Sequence, residues 1–138
     1  MEISNQKNKF AFTLIEILVV LAFIAILSSA ILASISGQRD KARVAGSLAE
    51  LSGVLQPILA CKSDGGTISN PSNNGLICNL GNYGVWPDLS KNNGSYTGFN
   101  FNQSAWYFSA TISGSSICCN NYSSKCAISS SCGANTVL

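Results

Sequence analysis

Between Ile17 and Gln38 the chain carries no charged residue, and Ile17–Leu27 is an unbroken apolar run, Ile-Leu-Val-Val-Leu-Ala-Phe-Ile-Ala-Ile-Leu. About 20 predominantly apolar residues carry a helix across the hydrocarbon of a bilayer. Leu14 to about Ile35 meets that length. A secretory signal peptide is the competing explanation, with an apolar core of about 7–15 residues that ends at a small-residue cleavage site. Ser28-Ser29-Ala30 imitates such a site, but apolar residues resume at once with Ile31 and Leu32, which favours a retained anchor.

The rest of the composition removes several function classes. With 138 residues the chain is one domain, or a small domain with an appendage. Charged residues make up only 10% of it, against a usual share of about 25%. Histidine is absent, which excludes Ser-His-Asp and Cys-His catalysis, His-ligated zinc and an imidazole pH switch. Outside the leader and membrane helix the carboxylates are Asp40, Glu50, Asp64 and Asp88, too few and too scattered to nominate an acid/base pair or a calcium site. Asp64, in Ser-Asp-Gly-Gly, reads as a turn residue. The net charge is +2. Arg39, Lys41, Arg43, Lys62, Lys91 and Lys125 are spread along the chain, which favours solvated positions over a nucleic-acid contact. A non-enzyme with no cofactor or metal is expected.

Four segments follow. Residues 1–11 are short and polar, with Lys7 and Lys9. Residues 12–36 form the membrane half of a helix and residues 37–60 an amphipathic half. In the second half Val44, Leu48, Leu51, Leu55 and Ile58/Leu59 recur at helical spacing, the stripe of a helix packed on one side. Pro57 removes a backbone donor and is expected to bend or end the helix. A continuous helix from Phe12 to about Ala60 would measure roughly 73 Å. Its stripe needs a partner, and residues 61–138 are the one available in this chain.

That last segment is rich in Ser, Asn and Gly and holds every cysteine: Cys61, Cys78, Cys118, Cys119, Cys126 and Cys132. Six cysteines allow 15 connectivities. Sequence cannot choose among them beyond setting aside a bond between adjacent Cys118 and Cys119. No CxxC pair occurs, so structural disulfides formed in an oxidising compartment outside the cytoplasm are expected rather than a metal site. Trp106, Phe108, Ala110 and Ile112 alternate with Tyr107, Ser109, Thr111 and Ser113 as in a half-buried strand. Phe99 and Phe101 suggest a strand before it, Ser113–Ser116 a turn, and Ile117–Cys119 a strand after it. The fold class is therefore α+β: a long N-terminal helix packed on a small, disulfide-stapled antiparallel sheet.

Glu16 is the anomaly. A carboxylate at the start of a membrane helix is costly and usually faces a partner. No Lys or Arg lies between Lys9 and Arg39. The expected partner is another chain, interfacial solvent or a newly made terminus.

The segment Lys9-Phe10-Ala11-Phe12-Thr13-Leu14-Ile15-Glu16-Ile17-Leu18-Val19-Val20 resembles the N-terminus of type IV pilins and of the pseudopilins of type II secretion. Tyr83-Gly84-Val85-Trp86-Pro87 weakly resembles a turn of many pseudopilin-like domains. The resemblance implies cleavage by a prepilin peptidase between Ala11 and Phe12, where Ala11 replaces the usual Gly, and N-methylation of Phe12. It also implies that Glu16 acts in assembly, by pairing with the new Phe12 amine of a neighbouring subunit. The implied partners are copies of the chain in a helical filament, other pilin-like subunits, the peptidase, an inner-membrane assembly platform and the bilayer. The N-terminal flank has Lys7 and Lys9, and the far flank Arg39, Lys41 and Arg43, so the positive-inside count does not favour a cytoplasmic N-terminus. The cysteines and the leader do favour it. The expected function is that of a filament subunit. The alternative is a minor pilin, or a membrane-tethered binding module or adhesin that never polymerises.

Overall fold

The computed structural model describes residues 12–102 and 104–138. The chain divides into two compact units, one ending at Gln38 and the other spanning Arg39–Leu138. Its elements are α1 (Leu14–Gly53), α2 (Leu55–Ser63), a short 3-10 turn (Leu89–Asn92), β1 (Gly94–Phe101), β2 (Trp106–Ile112), β3 (Ser115–Asn120) and β4 (Lys125–Ile128). The architecture is α+β: a long N-terminal apolar helix followed by a small four-stranded antiparallel sheet, with disulfides. The strand order is β1-β2-β3-β4, a simple meander.

In the first unit, Leu14–Leu32 is long and apolar enough to cross a membrane, and none of it is buried. A second stretch, Ile35–Ser63, also passes on length and composition, but 39% of it is buried. Leu51 and Ile58 there are fully enclosed by the domain, which makes it a core element.

The helix break falls at Val54, ahead of the proline. Pro57 cannot donate to the carbonyl of Gly53, and its ring crowds that carbonyl. The Val54 N–H instead bonds Leu51 O at 3.1 Å, a tighter turn, and the chain resumes as α2. The helix is interrupted there, but helical structure continues through Ser63. The buried stripe is Val44, Ser47, Leu51, Val54, Leu55 and Ile58, with Leu48 half-buried. Leu59, expected in that stripe, is exposed. Ser47 is tolerated inside because its Oγ accepts from Asn92 Nδ2 at 2.9 Å.

Opposite this stripe lies the inner face of the sheet. Trp106, Phe108, Ala110 and Ile112 of β2 point inward with Ile117 and Cys119 of β3. The β2–β3 connection is a two-residue turn with positive φ at both Ser113 (47°) and Gly114 (83°). That geometry matches the strands' natural twist. The outer face, expected to be solvated, is partly covered. Ser109 and Cys118, register partners in β2 and β3, are both buried there. The cover is the C-terminal segment after β4. Asn120, fully buried, donates to Gly133 O (3.0 Å) and Thr136 O (2.7 Å) and accepts from Ser123 N (2.9 Å). Asn120→Ala strands those groups, and each unmet buried polar group costs about 1–3 kcal/mol. We expect faster hydrogen exchange over residues 133–138 and a lower urea midpoint, with the helix–sheet core intact.

The six cysteines form three bonds: Cys61–Cys78, Cys118–Cys132 and Cys119–Cys126. Adjacent side chains on a strand point to opposite faces, so Cys118 and Cys119 serve different layers. Cys119 crosses to its register partner Cys126 on β4. Cys118 ties the C-terminal segment to the outer face. Cys61–Cys78 fastens the loop from Asp64 to Asp88 to α2. A Cβ at Gly66 would lie 2.7 Å from both sulfurs of that bridge, so a glycine is required there.

That loop has little regular structure but supplies the centre of the core. Trp86 is fully buried, with Phe108 (5.2 Å, 78°) and Tyr96 (5.7 Å, 74°) edge-to-face against it. Two isolated bridges, Ile68↔Cys78 and Leu76↔Val85, shape the loop. The Asp64 carboxylate accepts from the Tyr83 hydroxyl, which raises the pKa of that tyrosine. Tyr96 donates to Pro87 O at 2.9 Å, and burial pushes its hydroxyl above the usual tyrosine range. Asp88 caps the 3-10 turn through Ser90. The Ser90 hydroxyl at 2.6 Å is the main cause that holds the Asp88 carboxyl below its ordinary value.

Candidate processing and assembly site

The start of α1 is built by Thr13 and Glu16. Thr13 stands just before the first helical residue and Glu16 in the first turn. Glu16 Oε2 accepts from the Thr13 N–H and from Thr13 Oγ1, both at 3.0 Å. In return the Glu16 N–H reaches Thr13 Oγ1 at 3.4 Å. This is a reciprocal capping box, which satisfies backbone donors that the helix leaves unpaired. A carboxylate there also complements the positive end of the helix dipole.

Thr13 thus gives Glu16 hydrogen-bond donors within its own chain, in addition to the charge partner expected from another chain, solvent or a new terminus. The sequence signal was present as Thr13-x-x-Glu16, the spacing of a capping box just before an apolar run.

Beyond the cap the helix surface is almost wholly apolar. Phe12 is 79% exposed, and Leu14, Ile15, Phe23, Ile26 and Leu32 are likewise open. Soluble monomers rarely expose contiguous apolar patches above a few hundred Å². The exposed surface therefore belongs against lipid or against other apolar helices. Ser29 does not spoil it, because its hydroxyl bonds back to Ile26 O at 2.8 Å. A polar group satisfied inside its own helix is tolerated in a bilayer.

Ala11, one side of the expected cleavage point, lies outside the described residues, as do Lys7 and Lys9. Phe12 and Glu16 line one shallow groove along the helix with Ile15, Val19 and Val20. The basic residues weighed for nucleic acid do not converge on a shared partner. Arg43 pairs with Asp40 at 3.1 Å. Lys62 donates to Asn102 O at 2.9 Å, and its partial burial lowers its pKa.

Residues 6–32 match the family model of the prokaryotic N-terminal methylation motif. No curated protein and no solved structure matches the chain.

Proposed function

We propose that the chain is a structural subunit of a type IV pilus-like filament, cut by prepilin peptidase between Ala11 and Phe12, methylated at Phe12 and assembled through its N-terminal helix. The methylation motif over residues 6–32 is the class III leader of type IV pilins and pseudopilins, and it supports a pilin-like or pseudopilin precursor. It points to a structural subunit rather than an enzyme. With the apolar helix it fits a membrane-anchored precursor.

The observation that carries the filament reading is the combination of that motif with an apolar helix that the rest of the chain leaves uncovered. Cleavage frees an α-amine at Phe12, whose ordinary pKa near about 8 keeps it largely cationic. A Glu16 carboxylate of the next subunit pairs with that amine and sets the axial stagger of subunits while apolar helix faces pack. Other pilin-like subunits, the peptidase and an inner-membrane platform are the partners of such a process. The precursor sits as a single-pass cytoplasmic-membrane protein with its N-terminus inside. The disulfide-stapled domain ends on the filament surface.

One observation favours the second reading, a tethered module that never polymerises. Glu16 is already hydrogen-bonded within its own chain, so its presence alone does not demand a neighbour. The two readings separate by intact mass and N-terminal peptide mapping of protein recovered from native membranes. A chain that starts at Phe12 and carries one added methyl group is the expected result. A chain that still starts at Met1 transfers the lead to the tethered module. A cut near Ser28–Ala30 makes the product a secreted, stapled domain.

A further inference from the structure

Two grooves flank α1 within the Arg39–Leu138 unit. The first, about 280 Å³, lies between α1 and the β2–β3 turn and β4, with Val44, Ala45, Leu48 and Ile128 as apolar walls. The second, about 500 Å³, lies between the helices and the loop before β1, with Val54, Pro57 and Val85 among its walls. Lys41 borders the first groove and Glu50 the second. Nine residues separate these two side chains, about 2.5 turns of helix. They therefore leave α1 on opposite sides, and one chain cannot pair them with each other.

Each groove keeps one uncompensated charge. Asp40 lines the first beside Lys41, but Arg43 holds it at 3.1 Å. Asp88 and Lys91 line the second with Glu50. The Asp88 carboxyl is held below its ordinary value by Ser90 first and also by the charge of Lys91, so these two offset each other. Lys41 and Glu50 remain, both exposed and in no ion pair among the described residues. Arg39 shares the Glu50 side of α1 but stands eleven residues away, about 16 Å along the axis. That exceeds the screening length of about 8 Å at physiological salt. Each groove also carries an exposed aliphatic ridge. Ile128 is 61% exposed beside the first, and Val85 is 50% exposed beside the second, opposite its bridge partner Leu76.

We propose that the two flanks are the halves of one contact between copies of this chain. The Leu76–Val85 ridge of one copy seats in the groove of Val44, Ala45, Leu48 and Ile128 of the next, and Glu50 of the first pairs with Lys41 of the second. The charges select the occupant: Lys41 needs an acid that stands beside an apolar ridge, and Glu50 of a second copy is one. Because the halves lie on opposite sides of α1, the contact is head-to-tail, and each added copy presents an open half to another. The inference rests on the filament reading and adds to its helix packing a contact between the disulfide-stapled domains.

The test uses the full chain in filaments sheared from cells, with a benzophenone photo-cross-linker in place of Val85. Its adducts are expected on residues 44–48 or on Ile128 of a second copy, in a ladder that runs past the dimer. Lys41→Glu is expected to cut the cross-linked yield by roughly fivefold, and Glu50→Lys by the same factor, because each sets like charges face to face. The double variant Lys41→Glu/Glu50→Lys rebuilds the pair in reverse and is expected to restore the yield. Filaments whose adducts map elsewhere overturn the inference and leave the filament reading standing. A product that stops at the dimer, or a double variant as weak as the single ones, overturns it as well. A parent chain that forms no filament overturns the filament reading and the inference together.

Discussion

Trp86→Ala is expected to destabilise the Arg39–Leu138 domain by about 3–5 kcal/mol, the usual cost of truncating a buried large aromatic. Folded domains hold only about 5–15 kcal/mol in total, so this one change is expected to leave the domain partly unfolded at 37 °C. The reason is position. Trp86 is fully enclosed where the loop from Asp64 to Asp88 meets both helix and sheet. Tyr96, Phe101 and Phe108 all pack on its ring at centroid distances of 5.2–6.0 Å. Its backbone also ties the loop together, because Trp86 N donates to Gly75 O at 2.7 Å and Trp86 O accepts from Asn74 N. Loss of the ring leaves a cavity bordered by three other aromatic side chains, and such a cavity adds to the lost transfer energy. The neighbouring Val85 is half-exposed and serves as the control. Val85→Ala is expected to stay within about 0.5 kcal/mol of the parent. Urea unfolding of the full chain in detergent, followed by tryptophan fluorescence and near-ultraviolet circular dichroism, measures both. Equal midpoints for the two variants would show that Trp86 is not the keystone of the core.

Periodic features were legible from sequence because their cause is local. The uncharged run from Ile17, the Val44–Ile58 stripe and the alternation from Trp106 to Ile112 each reflect one element and one environment. What the sequence left open depends on chain segments far apart. Ser47 reads as a break in the stripe, yet it is buried because Asn92, from the loop before β1, supplies a donor. Ser109 reads as solvent-facing, yet it is buried, with its hydroxyl bonded to Gly98 O and Thr97 Oγ1 of β1. Strand β4 carries only Lys125-Cys126-Ala127-Ile128, too short for a period, and it exists because β3 templates it. The disulfide pairing was open for the same reason. It follows from strand faces and register, which spacing along the chain does not contain.

The loop from Asp64 to Asp88 shows the limit most clearly. Its Ser, Asn and Gly content reads as surface, yet it delivers Ile77, Cys78 and Trp86 to the interior. Its fold is set by turns with positive φ at Gly65, Asn74, Gly81, Asn82 and Gly84 and by the Cys61–Cys78 bond. Glycine and asparagine are what such turns need. The composition that suggests disorder is thus the one a compact irregular loop requires. At the N-terminus the capping box is local, and the Thr13-x-x-Glu16 spacing before an apolar run carries it in full.

Glu16→Gln is expected to leave membrane insertion and cleavage intact while sheared filament yield falls by roughly tenfold or more, since a buried cation is left without its counter-ion. The choice of glutamine matters. A glutamine at this position of a capping box still accepts from the backbone N–H, so the helix start survives and only the charge is lost. Thr13→Val makes the complementary change. It removes the hydroxyl that bonds Glu16 and keeps the carboxylate free for an α-amine. The filament reading therefore expects Thr13→Val to retain assembly and Glu16→Gln to lose it. The tethered-module reading expects both variants to behave alike, because it needs no pair between Glu16 and the Phe12 amine. Membrane fractionation, N-terminal mass mapping and quantification of sheared filaments separate these outcomes. If Glu16→Gln assembles as the parent does, the carboxylate is there for its own helix, and axial stagger must be set by the apolar faces alone.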